Sequence, residues 1–221
     1  MRKKCIVWCS LLTITVSSHS AWAGGFSVAP KISTLGPGIE VEQRLGDNLG
    51  IRLGVNYLPI STNFTVDDVR YKADFSWKNA ALLADFYPFA GMFRLTGGVF
   101  YNGNTVDVSG TPSGDVQIGD NTYSASDIGT ISGSVDFKKV VPYAGIGWSG
   151  GNSSSGGWSL GFDLGVMFQG SPSVGPLQVT GALGSNSTFT ADLEKERADI
   201  KDEMDTYQYY PVAAFGVAYH F

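Results

Sequence analysis

The C-terminal residues of the chain alternate strictly between apolar and small or polar side chains. One face of this segment carries Tyr207, Tyr209, Pro211, Ala213, Phe215, Val217, Tyr219 and Phe221. Successive side chains of a β-strand point to opposite sides, so a repeat of two residues indicates a strand with one apolar face. The pattern therefore predicts a strand over residues 207–221.

The same alternation occurs in five further segments. They lie at residues 49–59, 80–86, 93–101, 140–148 and 158–168. In each segment one face is apolar, and the other carries mainly Gly, Asn, Arg and Asp. Gly, Asp and Asn predict tight turns between some of the segments, and longer polar stretches predict long links. The turns fall at residues 46–48, 90–92 and 150–157, and the long links at 109–131 and 171–206.

Residues 26–45 contain a change of phase. Apolar side chains occupy even positions up to Ile32 and odd positions from Ile39 onward. Such a change requires a turn or a bulge, and residues 34–38 (Thr-Leu-Gly-Pro-Gly) have turn chemistry. We predict a hairpin here, which brings the number of strands to eight. The alternative is one long bulged strand.

The first 23 residues predict a secretory signal peptide. A basic tip at residues 2–4 precedes an apolar run at residues 5–16, and an Ala-Trp-Ala sequence ends at Ala23. We expect cleavage after Ala23, which would leave one domain of residues 24–221. The apolar run is too short to cross a membrane as a helix.

Composition narrows the function classes that suit this exported domain. Both cysteines, Cys5 and Cys9, lie in the signal peptide, so the domain can form neither a disulfide nor a thiolate metal site. Loss of three basic residues reduces the 15 Lys and Arg to 12 against 20 Asp and Glu, a net charge of −8. This charge disfavours nucleic acid as a partner. Two architectures remain, a soluble β-sandwich and a barrel.

The polar faces of the strands favour the barrel. A soluble sandwich carries Lys, Glu and Thr on its outer faces, whereas the polar faces here are poor in charge and rich in Gly. That composition suits the narrow interior of a small barrel, where glycines leave room for bulky polar side chains. The apolar faces would then contact lipid. Aromatic residues near the strand ends predict a membrane-interface girdle, formed by Tyr87, Phe89, Phe93, Trp148 and Trp158.

These features together resemble the small bacterial outer-membrane β-barrels of the OmpA transmembrane-domain, OmpX and OmpW type. The resemblance rests on the export signal, the eight alternating segments, the Tyr-Pro-Phe sequence at residues 87–89 and the terminal Tyr219-His220-Phe221. It implies an all-β fold, an eight-stranded antiparallel transmembrane β-barrel in the outer membrane of a Gram-negative bacterium. Short periplasmic turns and long extracellular loops would join the strands.

The resemblance also implies partners. Outer-membrane lipid and lipopolysaccharide would surround the barrel. In these barrels a C-terminal aromatic residue belongs to the signal that the barrel-assembly machinery reads, which would give Phe221 that role. The sequence names no extracellular ligand, and the expected role is structural or one of interaction at the cell surface.

Seven charged residues occupy the polar faces of the predicted barrel. They are Glu40, Glu42, Arg44, Arg52, Asp85, Arg94 and Asp163. The interior of eight strands is just wide enough for side chains to fill it. We therefore expect these four acids and three bases to form a buried ion-pair network that plugs the lumen. The alternative is a narrow channel for small solutes, selective through the same charges.

No residue pattern identifies a catalytic, cofactor-binding or metal-binding site, and we expect neither enzymatic activity nor a cofactor. The alternative is a lipid A-modifying enzyme, because small barrels of that kind use a His and a Ser near the outer leaflet. His220, the one histidine after the signal peptide, lies at the predicted periplasmic end. Asp115, Asp120 and Asp127 share one predicted loop, but their spacing matches no calcium-binding loop.

Residues 191–204 predict a short acidic helix in the last long link. Thr190 is its expected N-cap, and Leu193, Ile200 and Met204 form a sparse apolar stripe. We expect the helix to cover the barrel mouth as a solvated lid. A docking helix for a partner is the alternative.

Overall fold

The computed structural model describes residues 25–66, 68–150 and 156–221. The predicted signal peptide and most of the predicted turn at 150–157 lie outside the described residues. Antiparallel strands dominate the fold. In chain order they are β1 (Phe26–Ser33), β2 (Gly36–Arg44), β3 (Leu49–Val66), β4 (Val69–Phe86), β5 (Phe93–Asn102), β6 (Thr105–Pro112), β7 (Val116–Ile118), β8 (Asn121–Tyr123), β9 (Ile131–Asp136), β10 (Val140–Gly150), β11 (Gly157–Phe168), β12 (Ser173–Val174), β13 (Gln178–Val179) and β14 (Tyr209–His220). The helical elements are α1 (Ala125–Ile128), a 3-10 helix (Ala182–Ser185) and α2 (Ser187–Met204).

Eight strands form a series of antiparallel pairs that returns to its starting point. From β1 the pairing passes through β2, β3, β4, β5, β10, β11 and β14, and β14 pairs again with β1. We call these eight strands the ring. Each ring strand has two partners, so the backbone donors and acceptors along the shared length are satisfied. The end with the short links at 45–48 and 87–92 is the turn end, and the opposite end is the cap end.

The predicted hairpin at the phase change is confirmed. Ser33 pairs with Gly36, which leaves Thr34 and Leu35 as a two-residue loop between β1 and β2. Gly36 has a φ of +94°, a conformation that favours glycine because it has no Cβ. The alternative of a single bulged strand is wrong.

β3 and β4 continue past the cap end as a long hairpin, beyond the predicted segments 49–59 and 80–86. Their pairing extends to Val66 and Val69. Beyond the ring, β4 pairs with β6, β6 with β9, and β9 with β12 and β13. The predicted links at 109–131 and 171–206 therefore hold strands and helices. We call the outer part of the β3–β4 hairpin, together with β6–β9, β12, β13 and the helices, the outer subdomain.

Helix α2 begins four residues before its predicted start. Asn186, and not Thr190, is the N-cap: its side chain accepts hydrogen bonds from the backbone N–H groups of Thr188 and Phe189, at 3.0 and 3.1 Å. Thr190 lies inside the helix, and its hydroxyl donates to the Asn186 carbonyl at 2.8 Å. The Ser-Thr-Phe-Thr segment at 187–190 has low helix propensity, so the cap and the burial of Phe189 decide this boundary.

Both apolar and polar contacts attach α2 to the rest of the outer subdomain. On its polar side, the Asp192 carboxylate accepts hydrogen bonds from the Asn121 amide at 2.8 Å and the Tyr123 hydroxyl at 2.7 Å. These two hydrogen bonds hold the pKa of Asp192 below its usual range. The apolar contact is a cluster of buried side chains, formed by Ile118, Ile128, Phe189 and Leu193.

The outward face of the ring is apolar and exposed. On β3 the inward residues, from Gly50 to Asn56, are buried, whereas the outward residues are between 41% and 55% exposed. The outward set consists of Leu49, Ile51, Leu53, Val55 and Tyr57. Soluble monomers rarely expose apolar patches larger than a few hundred Å². The exterior of the ring is thus apolar, whereas the exterior of a soluble sandwich is polar. The alternative of a soluble β-sandwich does not fit. In the described part of the chain, no helix has the length and apolar character needed to span a membrane.

Aromatic side chains collect near both ends of this outward face. At the cap end, the rings of Phe168 and Tyr209 lie 5.8 Å apart. The turn end has more such contacts: Phe26 with Phe221 at 5.9 Å, Phe93 with Trp148 at 5.4 Å, and Trp158 with Tyr219 at 5.1 Å. One girdle prediction is wrong, because Tyr87 is fully buried inside the ring. Tyr87 follows directly after β4, where its hydroxyl has a polar partner in the interior.

Candidate functional site

The interior of the ring is filled by two layers of side chains. The layer toward the cap end is apolar, and Trp77 and Tyr210 pack against it. It consists of Leu35, Ala81, Leu83, Phe100, Val141, Tyr143, Met167 and Val212. The layer toward the turn end is ionic and contains the seven charged residues predicted to face the lumen.

Arg52, which is 1% exposed, lies at the centre of the ionic layer. Its guanidinium makes a bidentate pair with Asp85, with Nε–Oδ2 at 2.5 Å and Nη2–Oδ1 at 3.0 Å. Nη1 also donates to Glu40 at 2.9 Å and to Asp163 at 3.3 Å. One cation thus connects carboxylates on β2, β4 and β11.

Arg94 and Lys31 complete the central network. Arg94 Nη2 donates to both oxygens of Asp163, at 2.8 and 2.9 Å. Lys31 Nζ donates to Glu40 at 2.6 Å. Lys31 is absent from the residues predicted for the lumen. It occupies an odd position in β1, whereas the outward residues Phe26 and Ile32 occupy even positions, so the alternation already indicates an inward side chain. Within the described residues, Lys31 raises the number of bases in this layer to four, against four acids.

Glu42, Arg44 and Tyr87 close the turn end of the ionic layer. Arg44 Nε donates to Glu42 at 3.1 Å, and the Tyr87 hydroxyl donates to the same carboxylate oxygen at 2.7 Å. The Arg44 guanidinium also lies 3.5 Å from the centre of the Tyr87 ring, in a cation–π contact. Tyr87 therefore lies on the turn-end side of these charges and contacts both of them.

All seven predicted residues lie in this layer with compensating charge: five of them share the network around Arg52, and Glu42 and Arg44 form a separate pair beside it. Burial of an unpaired charge is very costly, and removal of one partner from a buried pair typically costs about 3–5 kcal/mol. A balanced set of four acids and four bases avoids that cost. A buried network of this kind is a polar filling whose members depend on one another, rather than a source of large net stability.

Two glycines on the inward face make room for the buried side chains. A Cβ at Gly147 would lie 2.5 Å from Asp163 Oδ1 and 2.7 Å from Arg94 Nε, inside the Arg94–Asp163 pair. A Cβ at Gly165 would overlap the Tyr143 ring. The glycine-rich polar faces seen in the sequence thus correspond to real close approaches.

A small cavity remains between the ionic layer and the turn end. Its volume of about 30 Å³ is room for about one water molecule. Ser159 and His220 line it, with Ser159 Oγ 2.7 Å from His220 Nε2, while the buried His220 Nδ1 has no hydrogen-bond partner among the described residues. A Ser–His pair can serve nucleophilic catalysis. This cavity, however, is far too small for an acyl chain.

The acidic residues predicted in the long loop do not assemble. Asp120 pairs with Lys195 of α2 at 2.9 Å, and Asp127 lies in the first turn of α1. In the residues that the structure describes, no group of three or more His, Cys, Asp or Glu side chains is placed to hold a metal ion.

Comparison with known proteins supports the fold. No family model matches the chain, and no curated protein matches it. Among solved structures, Acinetobacter baumannii CarO2 is 23% identical, with a TM-score of 0.57 over 89% of this chain and 98% of that chain. Acinetobacter baumannii CarO is 20% identical, with a TM-score of 0.57 over 88% and 97% of the two chains. These neighbours are outer-membrane β-barrel proteins, so the fold is that of a small bacterial outer-membrane β-barrel, as the sequence pattern predicts.

A pair of glycine substitutions tests the packing of the ionic layer. We expect Gly147→Ala to lower the free energy of unfolding by about 1–3 kcal/mol, because the added methyl group displaces the Arg94–Asp163 pair. Gly161→Ala is the matched control, since Gly161 also faces the interior, on the neighbouring strand β11, and a Cβ there meets only the Trp148 carbonyl, at 3.9 Å. Urea unfolding in lipid vesicles measures both. Equal effects of the two variants would contradict the packing described here.

Proposed function

We propose that the ring is a closed eight-stranded transmembrane barrel in the outer membrane of a Gram-negative bacterium. Two features of the chain support this: the ring pairs without a free edge, and its outward face is apolar. Inside a bilayer each unsatisfied backbone group is costly, so a β-structure can span it only when closed. The turn end would face the periplasm, and the outer subdomain would lie outside the cell.

The aromatic residues at the two ends of the outward face give the height of the proposed membrane-spanning part. Trp158 and Phe168 mark the two ends of the outward face of β11 and are ten residues apart. At about 3.3 Å per residue and a strand tilt of about 40°, this corresponds to a height of about 25 Å. The apolar band of outer-membrane barrels has about this height.

The proposed role of the barrel is structural or one of interaction at the cell surface, with a plugged lumen. The observation that carries this proposal is the filling of the interior by the apolar layer and the ionic layer. A channel needs a continuous water-filled path with binding weak enough for ions to leave. Arg52 and Asp85, both at most 1% exposed, are held by several hydrogen bonds each and occupy that path.

The enzyme alternative receives no support from the position of the Ser–His pair. A barrel that modifies lipid A needs its His and Ser at the outer leaflet. Ser159 and His220 pair inside the ring near the turn end, the proposed periplasmic side. Their role in this proposal is to satisfy polar groups at the base of the lumen.

We also propose that the first 23 residues are removed on export and that Phe221 serves barrel assembly. The Phe221 ring is 72% exposed and lies 5.0 Å from the Tyr219 ring, on the outward face. Its backbone N–H donates to the Phe26 carbonyl at 2.9 Å, at the seam between β14 and β1. An exposed terminal aromatic at this seam is accessible to assembly factors before the ring closes. Outer-membrane lipid and lipopolysaccharide are the proposed surroundings of the folded barrel.

The membrane placement predicts a strong position dependence for a charge on β11. Leu164 points outward near the middle of the strand. Leu164→Arg should lower the free energy of unfolding in lipid vesicles by about 2–4 kcal/mol, because an arginine near the bilayer midplane is poorly solvated. Leu164→Phe is the matched apolar control and should be nearly neutral. If the two variants unfold alike, the outward face does not contact lipid.

If the lumen is plugged, the barrel should not conduct ions. The protein in planar bilayers should show no conductance steps, while a general porin serves as the positive control. Gly161→Val separates the two candidate functions, because Gly161 lines the 30 Å³ cavity and a Cβ there meets only the Trp148 carbonyl, at 3.9 Å. A plugged barrel stays silent with or without the added side chain. Steps in the wild type that shrink in this variant would favour the channel.

The assembly role of Phe221 predicts a position-specific defect. Phe221→Ala should reduce the fraction of folded, heat-modifiable protein in outer-membrane fractions. The substitution keeps the backbone hydrogen bond to Phe26. Phe215→Ala is the control, since it removes another outward aromatic ring of β14, 52% exposed, without changing the terminal residue. An equal loss of folded protein in both variants would show that Phe221 contributes only as a lipid contact and has no special role in assembly.

A further inference from the structure

The outer subdomain contains a large cavity that the proposed function does not use. It lies between α2 and the outer sheet and has a volume of about 360 Å³. Its walls are predominantly apolar. The sheet contributes Val69, Val108 and Val135, and the covering elements contribute Ile118, Leu193 and Ile200.

The size of the cavity fits a ligand. Small-molecule sites usually enclose about 300–1,000 Å³ and are lined mainly by apolar side chains with few polar groups. A space of about 360 Å³ corresponds to about twelve water volumes, and its apolar walls offer water few hydrogen-bond partners.

The charge at the cavity is negative. Glu196 of α2 is the one charged residue among the described residues that line it. Neighbouring acids of the helix have partners: Asp192 is held by two hydrogen bonds, and Glu194 pairs with Arg197 at 2.7 Å. No ion pair to Glu196 occurs within the described ranges. Its exposed carboxylate at the edge of an apolar space is placed to pair with a cation.

We propose that this cavity binds a small molecule with an apolar body of about ten to twelve non-hydrogen atoms and one protonated amine, which pairs with Glu196. The apolar body would lie between the sheet and α2, with the amine at the solvent edge. The site belongs to the outer subdomain alone and is independent of whether the lumen conducts.

Three probes of one size test the chemical class. They are 4-phenylbutylamine, 4-phenyl-1-butanol and 4-phenylbutyrate, which differ in the charge of the head group. Methyl NMR of the whole protein in detergent should show saturable shifts at Ile118, Leu193 and Ile200. The Leu164 methyl groups on the outward face report partition of the probes into the micelle and should not saturate in parallel.

The amine should bind about two- to fivefold more tightly than the alcohol, as expected for one solvent-exposed ion pair. The carboxylate should bind weakest. Absence of saturable shifts with all three probes would overturn the site, and equal affinities would overturn the assignment of an amine. Neither outcome affects the bilayer experiment on the lumen, so the two proposals can fail separately.

Two variants test the separate contributions of the Glu196 carboxylate and of the apolar space to binding. Glu196→Gln should remove the preference for the amine over the alcohol and leave binding of the alcohol unchanged. Glu203→Gln, a matched exposed position on the same helix, should change neither. Val135→Trp should fill the cavity and abolish binding of all probes, with the methyl spectrum of the ring confirming that the barrel is folded. Unchanged binding in both Glu196→Gln and Val135→Trp would place the ligand elsewhere.

Discussion

The guanidinium group of Arg52 imposes the constraint on which the ring interior depends. A charge in so narrow an interior needs partners on several sides, and Arg52 finds them on three strands, in Glu40, Asp85 and Asp163. Those carboxylates in turn need Lys31 and Arg94. The balance of charge in the central network follows from satisfying this one group.

The two layers of the ring interior differ in polarity. The ionic layer occupies the turn end, and the apolar layer around Phe100 and Tyr143 occupies the cap end. Polar filling tolerates water at its edge, whereas the apolar layer excludes it. Under the proposed function, an interior filled in this way leaves interaction to the outer surface. The outer subdomain contains an additional sheet, a capped helix and a cavity.

Much of the ring could be predicted because the direction of a side chain along a strand is a local property. A repeat of two residues places Leu53 outward and Arg52 inward without any knowledge of the partner strands. The same rule, applied to β1, would have found Lys31. It would also have extended β4, because Val69, Tyr71, Ala73, Phe75 and Trp77 alternate with polar residues. It could not show that this outer half of β4 pairs with β6, which depends on distant segments.

The sequence by itself determined the ring strands, the first hairpin and seven of the eight inward charges, because each depends on periodicity and turn chemistry within a few residues. Only the tertiary structure decided which charges meet. Asp163 pairs with Arg94 and Arg52, 69 and 111 residues away, since ring closure brings β11 opposite β3 and β5. Tertiary contacts also turned Tyr87 inward and started α2 at Ser187. They formed the outer cavity too, and packing between distant segments has no signature in local sequence.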